Sequence, residues 1–269
     1  MRLCALTAAL VPLLTAVSVS FGAGFVHNEN FVVLTEATIS QQATQDYAQS
    51  VLRKAEEYRK QIAIEWFGEE LPPGIGRSTI NVRYTSDEDS GLTWAADNPE
   101  RKLHTIYLQT RADSAEISTL AHEMAHVVMA TMYPHPNRLP AWVEEGIASQ
   151  YDNAARKKAR NSALRFFAKQ ENWPQVDGVL TARNISAEDT RAYTVAVSLT
   201  EMLLKAGGKR TFVEFGRAAS RDGVEKALAH YYQVRNLTDL QTRWQGWVSQ
   251  TMSREVLSLN ESGRQVYGQ

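Results

Sequence analysis

Residues 119–132, TLAHEMAHVVMATM, set two histidines and a glutamate, His122, Glu123 and His126, in a segment that is otherwise apolar or small. Such a segment predicts a helix buried over most of its surface, and polar groups there need partners. The four-residue spacing of the histidines stacks both imidazoles on one helix face, within reach of a single ion. Three prolines in YPHPNRLP (133–140) then end the helix. AWVEEGIASQY (141–151) starts another just after Pro140, a favourable place for proline. A proline-rich bend here would let the second helix pack back against the first.

That return supplies a carboxylate. Catalytic zinc takes three protein ligands and keeps a fourth position open. Glu144 and Glu145 both lie on the second helix, and Glu145 follows His126 by nineteen residues. Glu145 is the first choice as third ligand and Glu144 the reserve. Glu123, beside the first histidine, can reach a water on the same ion. The plainer alternative is a helix with His and Glu exposed at its rim, and Glu144 as a solvated helix residue.

Around this pair, strand signals come first and helix signals later, the order of an α+β fold. NFVVLTEA (30–37) and STINVRYTS (78–86) read as strands, and LTWAAD with LHTIYLQT (103–110) as a hairpin across NPERK. Ala43, Tyr47, Val51, Ala55, Tyr58, Ile62 and Trp66 recur every three or four residues, so 39–66 reads as an amphipathic helix. GEELPPGIG (68–76) breaks it. RADSAE opens the active helix, with Ser114 as its cap. Beyond 153 the chain reads as helical: 153–170, 190–208 closed by Gly207 and Gly208, 209–220, 224–232 and 237–252. The division is residues 1–24 as a signal peptide, 25–152 as an α/β lobe, 153–255 as a helical lobe that can share the same core, and 256–269 as a loose tail. The run ARKKAR (155–160) reads as a solvated face, and the tryptophans as core or interface packing. His104, His135 and His230 stand alone and read as surface or satisfied histidines.

The N-terminus, MRLCALTAALVPLLTAVSVSFGAG, has one Arg, an apolar run and then small residues, the layout of a secretory signal. An uncleaved anchor is the rival, disfavoured by the short run and by Pro12. No other stretch predicts a membrane span, so the mature chain is expected to have none and to be secreted or periplasmic. The sole cysteine, Cys4, lies in this segment, so a mature chain would build any metal site from His, Asp or Glu. A net charge of −1 and the lack of a basic stripe interleaved with aromatics point away from nucleic acid.

HEMAH followed by LPAWVEEGIASQY resembles the gluzincin metallopeptidases, the thermolysin-like clan. It is most similar to members with a W-x-x-E-G-x-A glutamate helix, and especially to small secreted bacterial proteins of the peptidase-MA-like type. The likeness covers residues 104–152, and AYTVAVSLTEML extends it more weakly to about 205. It implies a zincin-like α+β fold: a small N-terminal mixed sheet with the active-site helix, then a mainly helical part. It implies one Zn²⁺ per chain on His122, His126 and Glu145, with Glu123 as general base. Tyr193 matches a tyrosine that donates to the oxyanion in related sequences. The edge strand of the hairpin would pair with substrate backbone. The implied activity is hydrolysis of a peptide or protein substrate. Two alternatives are a catalytically silent peptide-binding or scaffold module, and a zinc amidase acting on cell-wall peptides. Ser149 stands where thermolysin carries an acidic partner for a zinc histidine; Asp152 or a backbone carbonyl is left for that role. The G-x-M-E-N element of aminopeptidases is missing, which argues against a typical aminopeptidase, and an endopeptidase is preferred.

Overall fold

The computed structural model describes residues 24–36, 40–71, 77–85, 89–96, 103–111, 118–186 and 188–266, with side chains through 253. The signal segment, the Ser114 cap and the hairpin tip at 98–102 lie outside the described residues.

Five strands form one mixed sheet: β1 (Gly24–His27), β2 (Phe31–Thr35), β3 (Ser78–Tyr84), β4 (Ser90–Trp94) and β5 (Thr105–Thr110), in the order β1-β2-β3-β5-β4. The central pairs β2–β3 and β3–β5 are parallel, and the outer pairs β1–β2 and β4–β5 antiparallel. β1 was not foreseen, because its four residues are too few to show alternation beside the apolar leader. The β4–β5 hairpin is the one the alternating residues predict.

Between β2 and β3 runs α1 (Gln41–Phe67), a crossover that a parallel pair requires. The Ser40 side chain caps it by accepting from the Ala43 N–H, and Gly68 ends it at φ 80°. Its buried stripe is Val51, Leu52, Ala55, Ile62 and Trp66, with Ala48. α2 (Ser118–Met132) carries the His-Glu-x-x-His segment and packs beside α1, with α1 against β1 and β2 and α2 against β4 and β5. α3 (Ala141–Ala148) follows the proline bend and continues as a single 3-10 turn, Ser149–Tyr151.

The remainder is helical: α4 (Ala154–Gln170), α5 (Val176–Leu180), α6 (Thr190–Asp222), α7 (Val224–Tyr232) and α8 (Leu237–Val266). α6 joins two of the expected helices across a kink at Gly208, whose φ of 75° and ψ of 174° are non-helical. α8 continues through the residues expected to form a loose tail; after Met252 only one glycine and no proline interrupts it. One apolar core runs from Val26 in the sheet to Met252 in α8, so sheet and helices share it.

Trp142 is fully buried at the heart of this core, with ring centroids 6.1 Å from Phe212 and 5.8 Å from Phe215 of α6. It pins α3 against α6. Gly146 completes the contact, since a Cβ there would fall on the Thr200 side chain of α6. Trp66 and Trp244 are buried, but Trp94 is 65% exposed rather than packed, because it projects from β4 away from the helices. No helix among the described residues is long and apolar enough to cross a membrane.

Candidate metal centre

α2 presents His122 and His126 on one face, and α3 brings Glu145 over them. The two Nε2 atoms are 3.3 Å apart. Glu145 Oε2 lies 3.8 Å from His122 Nε2, and Oε1 lies 3.6 Å from His126 Nε2. One donor atom from each residue falls within 4.8 Å of the others, a set able to hold one metal ion. The structure therefore brings together the three ligands expected from the sequence.

Glu144 points elsewhere. It is buried and takes a two-point pair from Arg138, with Nε to Oε1 at 3.0 Å and Nη2 to Oε2 at 2.7 Å. It is neither ligand nor solvated residue: the one-residue step rotates its side chain about 100° around the helix from Glu145.

His122 Nδ1 meets Asp152 Oδ1 at 3.0 Å. An ionised carboxylate only accepts, so Nδ1 carries the proton and Nε2 turns its lone pair toward His126 and Glu145. Asp152 is itself gripped by Arg160, with Arg156 Nη1 at 3.4 Å, and is fully buried. Burial works to raise its carboxyl, but the His122 hydrogen bond and the charges of His122, Arg160 and Arg156 hold it down at about 2. The Tyr193 hydroxyl donates to Ser149 Oγ at 2.7 Å and lies 3.3 Å from Asp152 Oδ2. Ser149 Oγ donates to the Glu145 carbonyl at 2.6 Å, so the ligand helix and this network are one piece.

Burial dominates the remaining electrostatics. It pulls His126 down to about 3, helped by His122 and Arg138, which keeps the imidazole neutral and able to donate a lone pair to a metal. It pushes Glu145 up to about 7, with Glu123 and Glu144 adding repulsion. Glu123 is raised for the same reason, against the opposing pull of His122, a Thr93 hydrogen bond and Arg156. Burial also works to lower His122, but Asp152, Glu123 and Glu145 hold it above its ordinary value. Four carboxylates gathered in so little space, Glu123, Glu144, Glu145 and Asp152, call for compensating positive charge.

His122, Glu123, His126, Glu144 and Glu145 line a cleft of about 900 Å³. β4 lines it through Ser90, Gly91, Leu92 and Thr93, α4 through Arg156, Ala159 and Arg160, and Arg183 and Asn184 also face it. Tyr193 lines it too.

The chain matches no protein-family model, and no curated protein is significantly similar to it.

Two groups escaped the sequence reading. Arg160 belongs to a run expected to be solvated, yet it is 6% exposed against Asp152. Its signal was spacing: Arg156 and Arg160 are four apart on α4 and share a face. Thr93 donates to Glu123 Oε2 at 2.7 Å. The hairpin reading gave β4 no inward face; the strand turns Gly91 and Thr93 inward and leaves Leu92 and Trp94 exposed. His104 is buried with both ring nitrogens engaged, Nδ1 by the Ala96 N–H and Nε2 by the Thr131 hydroxyl, and so is a satisfied histidine.

Proposed function

We propose that the chain is a secreted or periplasmic zinc metallopeptidase of the gluzincin kind, with a zincin-like fold, that cleaves peptide or protein substrates as an endopeptidase. The observation that carries this reading is the pairing of a three-donor metal set, His122, His126 and Glu145, with a neighbouring carboxylate, Glu123, in one open cleft.

The donors fit zinc. Two nitrogens each about 2.0–2.1 Å from one tetrahedral ion stand about 3.3–3.4 Å apart. The imidazole nitrogens are at 3.3 Å, and the carboxylate oxygens need to close by only a few tenths of an ångström from 3.6 and 3.8 Å. No cysteine follows Cys4 in the sequence, which suits this nitrogen and oxygen shell. Zinc bound here would act as a Lewis acid on a substrate carbonyl and lower the pKa of a bound water to about 7.

The chain's own residues supply the rest. Glu123 takes the proton of the attacking water and returns it to the leaving amine. Its burial and raised pKa suit a group that must hold a proton part-way through the reaction. Asp152 fixes the tautomer and ring direction of His122. Tyr193, on the cleft wall, is the donor we assign to the developing oxyanion. β4 lies at the edge of the described sheet beside the cleft and would pair with the backbone of an extended substrate. The apolar leader supports export.

The deciding experiment measures metal content and digestion of a broad peptide library for the natural chain and Glu123→Gln. One zinc per chain in both, with cleavage only by the natural chain, is the expected result. Zinc in both and cleavage by neither would replace the enzyme with a peptide-binding module. Cleavage confined to cell-wall peptides would make it an amidase.

A further inference from the structure

Glu123 is held from β4. At 93 the strand turns a hydroxyl inward, which donates to Glu123 Oε2 at 2.7 Å and lies 3.2 Å from the Glu123 carbonyl. At 91, the next inward position, there is no side chain. A Cβ there would stand 2.5 Å from Glu123 Oε1, 2.6 Å from its Cγ and 2.7 Å from Thr119 Cγ2. Leu92 between them faces the other way and is half exposed. Glu123 itself is 4% exposed, and among the described residues Thr93 is the side chain that hydrogen-bonds its carboxylate.

A glutamate has three side-chain torsions, and a general base must sit within hydrogen-bond reach of the proton it takes. A misplacement of about 1 Å can cost a hundredfold in rate. We propose that Thr93 and Gly91 are positioning residues for Glu123: the Thr93 hydroxyl pins one carboxylate oxygen, and the bare Gly91 backbone leaves the volume the other oxygen fills. The inference rests on Glu123 acting as general base. β4 also forms one wall of the cleft, with Ser90, Gly91, Leu92 and Thr93 lining it. The strand that faces a substrate is thus the strand that sets the base, and an extended substrate lying along β4 meets a base already in register with it.

The test compares zinc-loaded crystals, zinc affinity and turnover for the natural chain, Thr93→Val, Thr93→Ser and Gly91→Ala. Valine keeps the shape of threonine and removes the hydroxyl. Turnover is read on a quenched peptide chosen from the library digest, and zinc affinity by competition with a chromophoric chelator. Thr93→Val is expected to lose ten- to a hundredfold in kcat with little change in KM or zinc affinity. Thr93→Ser restores kcat. In crystals of Thr93→Val and Gly91→Ala the Glu123 carboxylate moves off its native position. An unmoved carboxylate in both variants, or native kcat in Thr93→Val, overturns the proposal. If the natural chain binds zinc but cleaves nothing, the peptidase reading fails on its own, and the carboxylate position in the crystals still decides whether Thr93 and Gly91 place Glu123.

Discussion

Asp152 Oδ1 stands 3.0 Å from His122 Nδ1, across thirty residues of chain, and this contact fixes which nitrogen of His122 faces the metal set. The geometry is built by the 3-10 turn that follows α3. Tyr151 in that turn accepts from Trp66 Nε1 at 2.9 Å and donates to Glu65 at 2.7 Å, which ties the turn to α1 and aims the next residue at α2. Replacing Asp152 by Asn keeps an oxygen for Nδ1 but removes the charge. Zinc affinity is expected to fall by about ten- to a hundredfold, the usual effect of losing an outer partner of a metal histidine. Because Arg160 would keep a buried charge without its counter-ion, the fold should also weaken by several kcal/mol. Chelator competition reads the first effect, and urea unfolding in EDTA the second.

The neighbouring glutamates separate ligand from scaffold. Glu145→Ala should lower zinc affinity by more than a hundredfold, beyond the range for an outer partner. Glu144→Ala should keep zinc and lose about 1 kcal/mol of stability, since its Arg138 partner is part exposed and can recover water. Metal analysis after dialysis and thermal denaturation check the two together. Zinc lost from Glu144→Ala and kept by Glu145→Ala would reverse the ligand assignment.

The ligand triad was legible because each part is a local pattern: i,i+4 on one helix, a proline bend, and a carboxylate on the next helix. The strands and long helices were legible for the same reason, through alternation and three-four spacing. The partners of the triad were not. Thr93 meets Glu123 only once β4 lies over α2, and a lone threonine in a strand looks like any other. Arg160 looked solvated because its run is basic, and its burial is decided by Asp152 on a different element. Glu145 was preferred to Glu144 from the sequence, but that Glu144 turns to Arg138 was not legible, because it depends on rotation about α3.

Tyr193 offers a way to tell chemistry from support. Its hydroxyl is engaged by Ser149 and Asp152, while the residue stands on the cleft wall. Tyr193→Phe is expected to lower kcat by about a hundredfold, the scale of losing one oxyanion donor, with zinc affinity changed only severalfold. A normal kcat in the zinc-saturated variant, with weakened zinc binding, would assign the hydroxyl to the support of His122 alone. Steady-state kinetics at saturating zinc distinguish the two.

Removing the metal should leave a less stable protein. Ligand groups that bind zinc only when folded stabilise the chain by RT ln(1 + [Zn]/Kd), about 4 kcal/mol at a thousand times Kd. For a chain of this size that corresponds to roughly 10 °C in Tm. Calorimetry with excess zinc and with EDTA should show this difference in the natural chain and lose most of it in Glu145→Ala. An equal shift in both would mean that zinc binds away from the triad.

Gly146 tests whether the position of the ligand helix is set by its packing. Glycine to alanine in a helix interior ordinarily stabilises by about 1 kcal/mol. Here the added methyl would fall on Thr200 Oγ1, and stand 2.6 Å from Thr200 Cβ and 2.9 Å from its Cγ2. Thr200 is fully buried and cannot swing aside into solvent. The clash therefore wins, and Gly146→Ala should destabilise by about 1–3 kcal/mol, the cost of overpacking. It should also weaken zinc, because pushing α3 off α6 carries Glu145, the preceding residue, with it. Thr200→Ala removes two of the three contacted atoms, so the double variant should recover part of both losses. Urea unfolding and chelator competition on the four proteins close the cycle, and additive effects would show that the two residues do not meet.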